Sequence, residues 1–198
     1  MHSMVLRCFA RMAFTCLVAA PAIAETANFP ALTYSPWIKF CLSDTCFVGR
    51  DGRSNPDCPV DVAVVFIERD GDAKRTLSVT LPNRVNPERG VRITIDQGAA
   101  IERPFGRCFP NGCTADYEAG AELVDQLKRG KMLVVNAFDK ANASIRLTMP
   151  LADFASAYDG PAKEQKVFEE TISSPEAREK LERQRQEEED RKARCAAR

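Results

Sequence analysis

The sequence predicts a mainly β protein: an antiparallel β-sandwich with two short helices and a charged helical tail. Three observations carry this expectation. Short segments alternate strictly between apolar and polar residues, turn signals rather than helix-length crossovers separate them, and cysteines recur in closely spaced pairs. Period-2 patterning turns one face of a segment toward a core and the other toward water, and several such strands joined by tight turns favour an antiparallel sandwich over a parallel sheet.

The first 24 residues run from basic Arg7 and Arg11 through apolar Met12 to Ala20 and end at Ala22-Ile23-Ala24. This is the order of a secretory signal with an Ala-x-Ala cleavage site, so a mature start at Glu25 is expected. Residues 25–34 then read as a linker, 35–160 as one domain and 161–198 as a tail rich in Glu, Lys, Arg, Gln and Ala. The domain is long enough to bury a core of its own.

Within it, Trp37 to Cys41 and Thr45 to Val48 are short strand candidates, and the continuous apolar run Val60 to Ile67 reads as a central strand. Asp70-Gly71 marks a turn. Leu77, Val79 and Leu81 then alternate with Thr76, Ser78 and Thr80. Pro82-Asn83 and Asn86-Pro87 break the chain before Val91, Ile93 and Ile95, and Ile101 to Cys108 is a weaker strand candidate. Leu123, Val124 and Leu127 fall on one helical face, ended by Lys128-Arg129-Gly130. Basic residues suit a helix C-terminus, and glycine there predicts a left-handed cap. Met132 to Phe138 reads as a second central strand, Ile145, Leu147 and Met149 alternate again, and Leu151, Phe154, Ala155 and Tyr158 have the spacing of a short amphipathic helix before Gly160.

In the tail, Ser174-Pro175 predicts a helix start. Glu176 with Lys180, Glu179 with Arg183, Glu187 with Arg191 and Glu188 with Lys192 are i, i+4 pairs in the favourable order. Leu181 stands nearly alone as a large apolar residue beyond Ile172, which excludes a coiled-coil seam. Val167, Phe168 and Ile172 would pack back on the domain or anchor a partner.

Composition removes several function classes. The one histidine, His2, lies in the leader, so the exported part lacks the commonest general base and metal ligand. Basic and acidic side chains number 28 each, and Arg7 and Arg11 leave with the leader, so the remainder is slightly acidic. With no basic excess to neutralise phosphates, nucleic acid is not an expected partner. No later segment approaches the roughly 20 apolar residues of a transmembrane helix. Serine-elbow, phosphate-loop and dinucleotide-glycine motifs are missing, and no cofactor or catalytic residue is expected.

Cys8 and Cys16 belong to the leader; six cysteines remain. Cys41 with Cys46 and Cys108 with Cys113 share one spacing. Four thiolates so placed would suit tetrahedral zinc, but export into an oxidising compartment favours two disulfides that clamp short turns. Cys58 and Cys195 would join each other, stay free or link two chains. Trp37 is expected to pack over a disulfide rather than to serve as a ligand platform. Asp96, before Gln97-Gly98, reads as a turn residue capping backbone amides. Asp116, Glu118, Glu122 and Asp125 match no calcium loop and suit a helix start.

Ser35-Pro36-Trp37-Ile38-Lys39-Phe40-Cys41, Thr80-Leu81-Pro82, Gly90-Val91-Arg92-Ile93-Thr94-Ile95-Asp96-Gln97-Gly98, Cys108-Phe109-Pro110-Asn111-Gly112-Cys113 and Leu151-Ala152-Asp153-Phe154-Ala155 resemble, in the same order, motifs of the invasion-associated locus B family. The resemblance covers about residues 35 to 160. It implies a secreted or periplasmic immunoglobulin-like β-sandwich from an alphaproteobacterium, in a family named for a role in host-cell invasion and without an established catalytic activity. Cys58 and Cys195 lie outside the family's usual pairs.

The expectation is therefore an exported, non-catalytic interaction protein of the cell envelope, periplasmic or at the surface, with a protein or envelope partner. The turns Leu42 to Thr45 and Phe109 to Gly112 are its candidate binding loops, with Asp44, Phe109 and Asn111 as first contacts. The alternative is a structural envelope component whose tail acts as spacer or oligomerisation element.

Overall fold

The computed structural model describes residues 31–56, 58–163 and 175–196; the leader, Ser174, Val167, Phe168, Ile172 and the side chains of Leu181 and Lys192 lie outside the described residues. Two antiparallel sheets face each other across one core. The first has seven strands. β3 (Thr45–Arg53), β4 (Val62–Arg69) and β5 (Thr76–Leu81) form a meander, continued by β9 (Gly112–Glu118) and the short edge strand β8 (Arg107–Phe109). At its other edge β1 (Thr33–Tyr34) and β2 (Ile38–Leu42) lie end to end along β3, with Thr33 opposite Arg53 and Ile38 opposite Gly49. The second sheet has the order β11 (Ser144–Pro150), β10 (Met132–Phe138), β6 (Val91–Ile95) and β7 (Ile101–Arg103). The N-terminal linker thus contributes a strand at residues 33 and 34.

The alternation does what the sequence requires of it. Val64, Phe66, Leu77 and Val79 face inward from the first sheet and Ile93, Leu133, Val135 and Leu147 from the second, all buried in one cluster. Helices α1 (Ala121–Arg129) and α2 (Phe154–Asp159) contribute Leu123, Val124, Leu127 and Phe154 to the same core. Phe154 is fully buried, with Trp37 edge-on at 5.0 Å and Phe66 at 6.3 Å between ring centroids. Lys39 donates to the carbonyls of Tyr158 (2.8 Å) and Gly160 (3.2 Å), a cation on the orphan carbonyls at the end of α2.

The two sheets are stitched where β11 would otherwise expose its edge. The Tyr34 hydroxyl donates to the Thr148 carbonyl, and Trp37 Nε1 (3.2 Å) and Arg50 (2.8 Å) both donate to the Pro150 carbonyl. These side chains blunt part of an edge that would otherwise template pairing. Trp37 therefore packs on Phe154 and beside Arg50 rather than over a disulfide: Cys41 lies four residues of extended chain away, ~13 Å.

Two further expectations are corrected, and one strand was not foreseen. Ile101 to Cys108 is not one strand. It breaks at Pro104-Phe105-Gly106, where proline offers no ladder donor, and β7 joins the second sheet while β8 joins the first. β9 is a full strand that the sequence hid, because its inward residues Cys113, Ala115 and Tyr117 include no aliphatic side chain larger than alanine's methyl. Gly130 ends α1 in extended backbone, at φ −70°, not in a left-handed cap. It is required for space: a Cβ there would sit 2.6 Å from Ile95 Cγ2 and 2.7 Å from the Gln126 carbonyl.

The tail forms α3 (Pro175–Ala196), a 22-residue helix. Glu179 pairs with Arg183 at 3.7 Å as the spacing predicts, whereas Arg191 reaches Glu188, one residue closer in sequence than Glu187, at 4.0 Å.

Candidate functional site

Both short cysteine pairs lie directly across a hairpin. Cys41 opposes Cys46 and Cys108 opposes Cys113; each pair is disulfide-bonded with 4.0 Å between Cα atoms. With the sulfurs joined, no thiolate is left for zinc at either clamp, and among the described residues no cluster of three metal-ligating side chains occurs. The first clamp closes on Ser43-Asp44, with Ser43 at φ +53°. The second closes on Pro110-Asn111, and Gly112 lies so near the Leu81 carbonyl that a Cβ would come within 2.5 Å of it.

The structure does not bring the two loops together. One hairpin is at the β2 edge and the other at the β8 edge, five strand spacings or roughly 24 Å apart. They also lie at opposite ends of the sheet, since Thr45 pairs with Arg69 at one end and Cys113 with Leu81 at the other. They occupy diagonal corners and form separate surfaces.

Each corner presents one large apolar side chain just before its turn. Leu42 is 45% exposed and Phe109 is 51% exposed, and these are the exposed large hydrophobics among the described residues. Asp44 is held from two sides, by the Thr45 hydroxyl at 3.0 Å and by Arg69 at 3.7 Å, so it braces its own hairpin. Asn111 is exposed at the tip of the second turn, which Asn83 steadies by donating to the Pro110 carbonyl at 2.7 Å. Arg107 stands over the Phe109 ring at 5.9 Å.

Leu42 also continues a larger surface. Outward positions of β2, β3 and β4 place Ile38, Phe40 and Leu42 beside Phe47, Val65 and Ile67, with Phe40 stacked on Phe47 at 4.9 Å. The outward face of an antiparallel sheet is ordinarily polar. The signal was present in the sequence, because Val62 to Ile67 is apolar at both parities, but it reads equally as a strand buried on both sides.

The remaining pair, Cys58 and Cys195, is joined across 137 residues and fastens the end of α3 to the loop after β3. That loop is itself tightly held. Buried Asp61 accepts from the Ser54 amide (2.6 Å) and from Arg84 (2.9 Å), and Arg53 donates to the Cys58 carbonyl (3.1 Å). In the chain-entropy account of disulfides, a loop this long contributes about 5 kcal/mol and each short clamp only about 2.

The other singled-out residues have structural partners. Asp96, at φ +50°, accepts from the amides of Lys131 and Met132 and so fixes the start of β10. Asp116 accepts from Ser78 at 2.7 Å, while Glu122 and Asp125 meet Gln126 and Arg129 on α1, so these acids form no common site. Burial pushes the Tyr117 phenol well above its ordinary range; its hydroxyl donates to the Val91 carbonyl at 2.8 Å. Tyr158 is raised as well, by burial and then by Glu68, whose carboxylate accepts from it at 3.1 Å.

Among curated proteins no match is found. The crystal structure of invasion associated protein B from Bartonella henselae is similar in fold, with a TM-score of 0.54 and 23% identity, covering 64% of this chain and 94% of that one. The family model for invasion associated locus B proteins matches residues 37–162, from the tryptophan on Phe154 to the residues just past α2. With that match spanning well over half of its length and every strand of the sandwich after β1, the chain belongs to the invasion associated locus B family.

Proposed function

We propose that the protein is an exported, non-catalytic interaction module of the bacterial cell envelope, periplasmic or at the surface, which binds a protein or envelope partner and contributes to contact with a host cell. One observation carries this reading: the exposed large hydrophobics of the described residues, Leu42 and Phe109, sit at the tips of the two disulfide-clamped hairpins. A large apolar side chain exposed on a covalently stiffened loop binds at low entropic cost, because the loop is already ordered. Three disulfides fit an oxidising compartment, and the family membership fits host-cell interaction. No helix among the described residues is long and apolar enough to cross a membrane.

The spacer reading of the tail is weakened by its attachment. Lys163 donates its amide to the Lys39 carbonyl and Cys195 is bonded to Cys58, so the tail is attached to the domain at both of these points.

The test places a photoreactive phenylalanine analogue at Leu42 or at Phe109 in the full chain, in the cells that produce it, with exposed Lys140 as control. A discrete adduct from either hairpin and none from position 140 supports the reading; folded protein without an adduct at both hairpins overturns it. Repeating the experiment after deleting residues 161–198 in a Cys58→Ser background separates the alternatives. Adduct retained supports the domain as binder, and adduct lost from a folded domain supports the tail.

A further inference from the structure

The outer face of the second sheet carries a different chemistry. Register aligns Glu102 on β7, Arg92 on β6, Asn136 on β10 and Arg146 on β11 in one row across the sheet. In the neighbouring row Phe138 opposes Ser144. Arg89, from the short 3-10 turn Pro87–Arg89, lays its guanidinium over the Phe138 ring at 4.0 Å. Arg89, Arg92, Glu102, Asn136, Phe138 and Ser144 line a recess of about 290 Å³. Small-ligand sites run from roughly 300 Å³ upward, so the volume suits a small polar group.

The donors are arranged and partly unspent. Arg92 directs Nε (3.1 Å) and one terminal nitrogen (2.8 Å) to the same Glu102 oxygen, which fixes its plane and leaves its other terminal nitrogen available. Among the described residues no carboxylate pairs with Arg89 or Arg146. Gly90, at φ +66°, lines the recess and must be glycine, because a Cβ there would meet the Arg103 carbonyl at 2.7 Å.

We infer that this recess binds the carboxylate of an acidic sugar, a uronic acid or a glycan that carries one. Arg89 and Arg92 would take the carboxylate, and the Asn136 amide, the Ser144 hydroxyl and Glu102 would take ring hydroxyls, since that set offers both donors and acceptors. Glu102 within the row disfavours a doubly charged phosphate and suits a hydroxyl. An acidic peptide fits less well. The main chains of β6 and β10 are paired to each other and to their outer neighbours at this level, leaving no ladder for a peptide backbone, and the Phe138 face is already covered by Arg89.

The experiment is a titration of the oxidised full chain, followed by amide chemical shifts. The probes are sodium glucuronate, a short oligogalacturonate, glucose and N-acetylglutamate. Saturable shifts at Asn136, Phe138 and Ser144 with glucuronate in the millimolar range, weakened at least about tenfold by Arg89→Gln and by Ser144→Val with unchanged melting temperature, support the site. Tighter binding of the oligomer than of the monomer identifies a polymeric glycan as the source; equal binding identifies the free sugar acid. No saturable shift on this face, an unchanged affinity in Arg89→Gln, or equal response to glucose overturns the inference. An equal response to N-acetylglutamate overturns it in favour of an acidic peptide.

Discussion

Across β2, β3 and β4 the outward row reads Phe40, Phe47 and Ile67, whereas across β7, β6, β10 and β11 it reads Glu102, Arg92, Asn136 and Arg146. Both rows stand on the same core and are offset by one residue from the same kind of inward apolar set. Inward positions are restricted to apolar residues because a buried polar group costs energy unless it is hydrogen-bonded. Outward positions carry no such restriction, so their chemistry records what each face meets. An apolar outward row is a liability in water unless something contacts it. An arginine-lined row is soluble but specific in what it attracts. The difference separates what holds the sandwich together from what each side of it can recognise.

The two faces share a support, and removing it should abolish both. Phe154 is wedged between Trp37 and Phe66, and Trp37 in turn donates to the Pro150 carbonyl on β11 of the other sheet. Phe154→Ala should cost about 3 to 5 kcal/mol, the range for truncating a buried phenylalanine. Urea unfolding measures it. A loss below ~1 kcal/mol would mean that the faces are held independently.

A smaller and pH-dependent effect is expected at the junction of the sheets. Tyr117, on the first sheet, donates to the Val91 carbonyl at the start of β6 on the second. Burial, partly countered by Arg103, raises its pKa in the folded state above the unfolded value of about 10. The unfolded chain therefore loses this proton first. The stabilisation is intact below pH ~10 and declines as the pH rises from there through the folded pKa. Tyr117→Phe should cost about 1 to 2 kcal/mol at neutral pH by stranding the Val91 carbonyl. Its stability should then fall less steeply than the wild type's between pH 9 and 12, by chemical unfolding at each pH. Parallel pH profiles for the two proteins would refute the assignment.

Much of the inward half of this comparison was legible in the sequence. Val91, Ile93 and Ile95, or Ile145, Leu147 and Met149, declare their buried face by spacing alone. So did the helix at Leu123 to Leu127, and Asp96 as an amide cap. β9 was not legible, because the small side chains of Cys113 and Ala115 face the core opposite bulkier strands and carry little hydrophobic signal. The outward half was legible only as the apolar run Val62 to Ile67, which reads equally as a strand buried on both sides. Whether Phe40 meets Phe47 and Ile67, or Arg92 meets Glu102 and Asn136, is decided by register between strands that local periodicity does not report. The clamped loops were identifiable from cysteine spacing. Their placement at diagonal corners follows from strand order, which spacing leaves open.

The smallest expected effect is the sharpest test of the two faces. Phe40→Thr places a β-branched residue, suited to a strand, in an edge strand and removes an outward ring stacked on Phe47. Such a pair contributes about 0.5 to 1.5 kcal/mol beyond its area, so the loss should stay near ~1 kcal/mol. Arg92→Gln removes an ion pair whose side chains are 58% and 54% exposed and should change stability by less than about 0.5 kcal/mol. Paired denaturation curves measure this order, and light scattering at rising concentration measures self-association. If Phe40→Thr lowers self-association while Arg92→Gln leaves it unchanged, the apolar row is an open contact surface. If Phe40→Thr instead costs more than ~3 kcal/mol, as for a core aromatic, the row is an inward surface covered within the same chain. The comparison between the faces would then become one between a second core and a surface.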